Sequence, residues 1–243
     1  MIDNQILDKL GRKTIVTGHY GSGKTEFTVS LAMQLKRLAE QSEQVQTDYD
    51  NVAIIDLDII NPYFRSREQR EMLENAGVAV YGSVFKEEVT AELPALSANI
   101  RAPLESDSCR VIIDAGGNDT GAIVLNQFSK YFTDDETTVL AVVNANRPDT
   151  SDIDSAVEHI KAIEFITGLT VSGIVNNTHL LRETTADDVI QGHAFCVRIC
   201  EATGKSLLCD CYPDGIVDPN ELTELSGNLM PLGLYMRPTW LDR

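Results

Sequence analysis

A chain of 243 residues can bury one full-sized core, and its formal net charge of -17 sets it against polyanion surfaces, so direct nucleic-acid binding is not expected. The opening MIDNQILDKLGRK mixes acids with apolar residues and has no signal-peptide h-region, and no apolar run is long enough to span a bilayer. Cys109, Cys196, Cys200, Cys209 and Cys211 are an odd set without secretion signals, so reduced thiols and a cytoplasmic location, with no membrane attachment, are the expectation.

Short β-branched apolar runs alternate with helical patterns along the whole chain. KTIVTG predicts a first strand, followed by a helix over about 24–38 with Phe27, Leu31 and Leu35 on one face. VAIIDLD predicts a second strand, a helix runs to about Ala76, and VAVYGSV is a third strand; 86–107 reads as mixed loop and helix. CRVIIDAGG is a continuous apolar run typical of a buried parallel strand. A helix over 120–132, strand TTVLAVVNA, a helix over 151–167, strand TVSGIVNNT, a helix over 186–203 and strand KSLLCDCYP follow. This alternation predicts an α/β fold: a single domain over 1–243, with a mostly parallel twisted sheet of about seven strands and helices on both faces. Ligands in such sheets sit at the carboxyl ends of strands.

GHYGSGKT, Gly18 to Thr25, fits G-x-x-x-x-G-K-[ST] and lies between a strand and a helix, as a phosphate-binding P-loop requires. Gly21 and Gly23 let backbone N–H groups turn inward around phosphate oxygens, and the helix N-terminus adds its dipole. Lys24 is expected on the β- and γ-phosphates and the Thr25 hydroxyl on Mg²⁺. The nucleotide-contact set is therefore Gly18, His19, Tyr20, Gly21, Ser22, Gly23, Lys24, Thr25 and Glu26. Asp114, ending the run VIID, supplies the acid that organises the metal, and the glycines after it give a flexible switch. In DLDIINPYF, Asp56 and Asp58 lie two apart and share a face, and one of them, Asp58 as the more exposed, could orient a water. Several carboxylates beside a triphosphate repel it unless a cation intervenes, so Mg²⁺ is implied.

The loop, the D-x-D-x-x-x-P run and the later apolar-Asp-x-Gly-Gly together resemble the MinD/ParA group of P-loop ATPases, with its CobQ/CobB-type relatives, over about 13–213. The resemblance implies ATP and Mg²⁺ as cofactors. It assigns Asp58 to the attacking water, Asp114 to the Walker B position, Asn176 to the nucleobase, and Pro213 with Asp214 to a turn closing over adenine. An amide offers a purine edge both a donor and an acceptor, but Asn176 could instead cap the next turn with Asn177. The metal set is then Thr25, Asp58 and Asp114, with Lys24, Asp58 and Asp114 as catalytic residues. His19 stands where many of these ATPases carry a lysine that crosses a dimer to the partner's nucleotide, and Tyr20 replaces a glycine. A neutral imidazole supplies no permanent cation, which argues against a tight ATP-driven dimer.

Three functions remain open on these residues: an ATP hydrolase switching a partner protein, a CobB/dethiobiotin-synthetase-like enzyme activating a small carboxylate with ATP, and a non-hydrolysing adaptor. Cys209 and Cys211 read as core residues, with a four-thiolate metal site joining Cys196 and Cys200 as the alternative. Arg65 and Arg67 could hold a second substrate or face solvent beside Glu68 and Glu71. Asn144, Asn146 and Arg147 end another strand near the ligand edge.

Overall fold

The computed structural model describes residues 2–41, 49, 51–58, 70–82, 94–117, 119–133, 135–147, 152–225 and 228–236. The strands are β1 (Lys13–Thr17), β2 (Asn51–Asp56), β3 (Val78–Gly82), β4 (Cys109–Asp114), β5 (Thr137–Val143), β6 (Gly173–Asn176), β7 (Ser206–Pro213) and β8 (Leu229–Leu232). The helices are α1 (Asn4–Leu7), α2 (Lys24–Gln41), α3 (Arg70–Asn75), α4 (Pro94–Glu105), α5 (Asp119–Asn126), α6 (Ile153–Thr167) and α7 (Ala186–Thr203). None of the described helices is long and apolar enough to cross a membrane.

The strands form one sheet in the order β3-β2-β4-β1-β5-β6-β7-β8, and every pairing is parallel. The expected α/β architecture is present, with one strand more than the seven read from sequence: Leu229–Leu232 adds a parallel edge beside β7. Pro231 obscured it, since proline is confined to edges and short strands, which is where β8 lies.

Alternate residues of the strands feed two apolar layers. Val16, Ile54 and Ile112 pack with Phe27, Leu31 and Leu35 of α2, while Ile15, Ile55 and Ile113 pack on the other face with α4, α5, α6 and α7. The helices end where the sequence lets them. Asp152 caps α6 by accepting the Ser155 N–H at 2.8 Å, and Gly168 closes it at φ 68°. Thr185 and Asp188 form a reciprocal capping box at the start of α7.

In β7 the two-residue alternation sends Asp210 toward α7 and places Cys209 and Cys211 in the α2-side core; Cys196 belongs to the opposite layer. Burial raises the Cys196 and Cys211 thiols well above their usual range. Among the described residues no three His, Cys, Asp or Glu side chains converge as a metal cage. Arg65, Arg67 and Glu68 lie outside the described residues, as does the IINPYF run.

Candidate nucleotide site

β1 delivers the loop to the centre of the sheet, between β4 and β5. Gly21 and Gly23 adopt φ 73° and 81°, a region that a side chain disfavours, so glycine is required for the backbone to turn there. Two side chains hold the loop from outside. Arg147, beyond the end of β5, donates Nε–H to the Gly21 carbonyl at 2.7 Å, and Asn177, just past β6, donates to the Ser22 carbonyl at 2.8 Å. A carbonyl and the next N–H point to opposite sides of one peptide plane, so the Asn177 bond turns the Gly23 N–H away from itself. Ser22 N–H is itself bonded to the His19 carbonyl at 3.1 Å. Gly117 packs directly on the Gly18 backbone, leaving no room for a Cβ, so the segment after β4 touches the start of the loop.

The acids arrive in register. Asp56 pairs with Asp114 across β2 and β4, and Val16 pairs with Asp114 across β1 and β4. Lys24 Nζ lies 3.0 Å from Asp58 Oδ2, with both side chains buried. Asp58 N–H donates to Asp56 Oδ1 at 3.1 Å. The structure brings Lys24, Thr25, Asp56, Asp58 and Asp114 together, all below a tenth exposed, so Asp58 is as buried as Asp56 rather than the exposed one of the pair.

Asp114 is fully buried, and burial pushes its pKa up to about 8 even though Lys24 opposes the shift; Asp56 and Asp58 add to it. The Thr25 hydroxyl lies close enough to favour the Asp114 carboxylate, yet among the described residues neither carboxylate oxygen makes a well-formed hydrogen bond. The buried Ser22 hydroxyl likewise has no partner among the described residues. Burial and the neighbouring Asp56 and Asp58 favour the neutral form of Asp114, and a small divalent cation beside it would favour the ionised form instead. The donors are hard oxygens with too few to enclose an ion, which is the pattern of Mg²⁺ completed by phosphate oxygens and water. The residues fit Mg²⁺, with Thr25 and Asp114 best placed to hold it.

A cavity of about 300 Å³ adjoins the loop. Tyr20, Gly21, Gly23, Lys24 and Thr25 of the loop and the start of α2 line it together with the apolar Leu181, Pro213, Leu232, Leu234 and Met236. Leu181 sits there at φ 57°, the one positive φ of a non-glycine residue among those described. Glu26 accepts the N–H groups of Tyr235 and Met236 at 2.6 and 2.9 Å, and burial raises its pKa to about 7 against those two bonds. His179 Nδ1 accepts the Leu181 N–H at 3.2 Å, which leaves the proton of the neutral ring on Nε2. Burial and the neighbouring Arg147 lower its pKa to about 4.

His19 stacks on His159 of α6, with ring centroids 3.5 Å apart and an interplanar angle of 27°. Burial, then His19 and Lys24, push His159 down to about 3. Tyr20 is 65% exposed at the cavity mouth.

Two residues expected at the base lie elsewhere. Asn176 is fully buried; its amide donates to Asp210 Oδ1 at 2.7 Å and the Val189 carbonyl at 3.0 Å, while its oxygen accepts the Thr178 N–H at 3.1 Å. All of its capacity toward a purine edge is engaged by protein, because the last position of β6 points into the packing under α7. Asn177, one residue on, faces the cavity instead. Asp214 is exposed at the turn after β7 and outside the cavity wall, while Pro213 is in it. Asn177 enters the sequence reading only as a turn-capping partner of Asn176, and His179, Leu181 and the 232–236 segment are not among its site residues; the polar cluster Asn176-Asn177-Thr178-His179 after a strand is the signal available.

No protein-family model and no curated protein matches the chain. Among solved structures, FtsY from Mycoplasma mycoides matches with a TM-score of 0.53 at 18% identity, over 80% of this chain and 58% of that one. Chloroplast FtsY from Physcomitrella patens matches with a TM-score of 0.51 at 17% identity, over 80% of this chain and 56% of that one. The chain thus spans less than two thirds of either structure. At this identity the likeness establishes architecture: the chain has the α/β fold of a P-loop NTPase.

Proposed function

We propose that this chain is an Mg²⁺-dependent P-loop ATPase of the MinD/ParA-like kind, a nucleotide-dependent switch that acts on a partner protein. The observation that carries the reading is the buried convergence of Lys24, Thr25, Asp58 and Asp114 on a glycine-shaped loop at the carboxyl edge of the sheet. ATP is chosen over other nucleoside triphosphates on the resemblance of the loop and acid motifs.

Phosphoryl transfer asks the protein mainly for positioning and charge stabilisation. The Gly23 N–H and the N–H groups that open α2 face the phosphates, and Lys24 moves from Asp58 to the phosphate oxygens. That exchange releases the Asp58 carboxylate to accept a hydrogen bond from the attacking water and so orient it. Thr25 and Asp114 would hold Mg²⁺, which would supply charge neutralisation at the phosphate oxygens. Arg147 and Asn177 keep the loop open by fixing its carbonyls outward. The apolar lining of the cavity takes the nucleobase.

ATP-dependent activation of a small carboxylate is a second reading, favoured by His19 standing in place of the cross-dimer lysine and by the Arg147 guanidinium at the cavity. ATP turnover by the pure protein, with and without small carboxylates and with GTP as a competitor, tests both. Slow ATP-selective hydrolysis indifferent to carboxylates is expected; carboxylate-dependent turnover would favour the second reading, and GTP selectivity would overturn the choice of ATP.

A further inference from the structure

Three polar side chains of α2, at four-residue spacing, hold the backbone of the chain's last described segment. Gln34 donates to the Pro231 carbonyl at 2.8 Å, Ser30 accepts the Gly233 N–H at 3.1 Å, and Glu26 accepts both the Tyr235 and Met236 N–H groups. Residues 26, 30 and 34 share one helix face, so the ladder runs antiparallel to the segment and draws it toward the loop. The side chains between the ladder's rungs, Leu232 and Leu234, and then Met236 form one apolar wall of the cavity. Glu26 follows Thr25 directly, so a residue next to the phosphate site fixes the wall of the base site.

We propose that Glu26 is a positioning residue for the nucleobase: by binding the Tyr235 and Met236 amides it sets the apolar wall of the base slot, without itself holding phosphate. The inference rests on the nucleotide reading above. Among the described residues Glu26 is the last rung and the only one with two bonds, one to each carboxylate oxygen, and such bonds are stronger than neutral hydrogen bonds. Serine and glutamine at the other rungs hold the segment farther from the loop. Cutting the terminal rung therefore loosens Leu234 and Met236 while leaving β8 in the sheet. The phosphate site is built by Gly21, Gly23, Lys24 and Thr25, none of which depends on the segment.

The test titrates the full chain in Mg²⁺ buffer with ATP and separately with inorganic tripolyphosphate, which offers phosphates and no base. The wild type is expected to bind ATP more tightly. Glu26→Ala should weaken ATP about tenfold, the scale of losing charge-assisted bonds that order a binding wall, and leave tripolyphosphate unchanged. Leu234→Ala, which trims the wall and spares the ladder, should weaken ATP alone by about fivefold, the scale of about one buried methylene lost from the contact; it serves also if Glu26→Ala fails to fold. Equal weakening of both ligands in Glu26→Ala would place Glu26 at the phosphates and overturn the proposal, as would ATP affinity unchanged in Leu234→Ala. A wild type that binds tripolyphosphate as tightly as ATP would remove the base slot while sparing the phosphate site. A wild type that binds neither would overturn the nucleotide reading and the slot with it.

Discussion

Lys24 and Asp58 form a buried ion pair at 3.0 Å, so the loop lysine is held by the same acid that is expected to orient water. A phosphate must compete with that carboxylate for Lys24. Asp58→Asn weakens the competitor and removes a negative charge beside the phosphate site. ATP affinity is expected to hold or rise, while turnover falls by at least about a hundredfold, because an orienting group is worth more in the transition state than in the ground state. Calorimetry and single-turnover hydrolysis on the same variant check both halves. Turnover equal to wild type would move the water to Asp56 or another group.

Acid sensitivity follows from two histidines. His159 is held down to about 3 and His179 to about 4, each chiefly by burial, against about 6.5 when unfolded. Between those values these two side chains carry more protons in the unfolded chain than in the folded one, so their contribution to stability is complete above pH 6.5 and lost as pH falls toward 4 and 3, opposite in sign to that of the raised Asp114 and Glu26. Each residue adds at most about 1.4 kcal/mol per pH unit to that slope. Denaturant midpoints for His159→Phe are expected to fall less steeply from pH 7 to pH 4.5 than those of wild type. Parallel profiles would show that His159 is free to protonate in the folded chain.

The His19–His159 stack ties the loop to α6 of its own chain, and on the proposed MinD/ParA-like reading His19 stands where a cross-dimer lysine would be. ATP and Mg²⁺ added to the Asp58→Ala variant, which retains nucleotide, should therefore leave the sedimentation coefficient unchanged. A shift toward dimer with ATP but not ADP would contradict this and return the chain to the nucleotide-sandwich switches.

Cys209 and Cys211 face the α2-side core, away from Cys196. Changing both to serine is expected to cost about 2–5 kcal/mol of stability, from two hydroxyls placed in an apolar layer. Elemental analysis of the wild type should find no stoichiometric zinc, nickel or iron. One metal per chain or dimer, lost in the double variant, would overturn the packing account.

What the sequence disclosed follows from which interactions are local. The loop, its flanking strand and helix, and the acids at strand ends announce themselves within eight or nine residues, because glycine conformations and continuous apolar runs are local requirements. Asn176 and Asn177 could not be told apart that way: successive side chains of a strand point oppositely, and the register against β7 decides which one reaches the cavity. Glu26 meets Tyr235 and Met236 across more than two hundred residues, and the short, proline-containing β8 gives no periodic signal. Arg147 was legible as a strand-end residue, whereas its bond to the Gly21 carbonyl depends on β5 lying next to β1.

The central claim is that the glycine-shaped loop and Lys24 capture the phosphates of a nucleotide. Calorimetric titration of ATP with Mg²⁺ into wild type and Lys24→Ala tests it most directly, with circular dichroism to verify that the variant folds. Lys24 is the loop's own permanent cation, and each charge-assisted phosphate bond it makes is worth about 1.5–3 kcal/mol, so affinity should drop at least about tenfold and more where several bonds are lost. Saturable binding by wild type with affinity lost in a folded Lys24→Ala is the predicted result. Equal affinity in the two proteins, or no binding by wild type, would contradict the account.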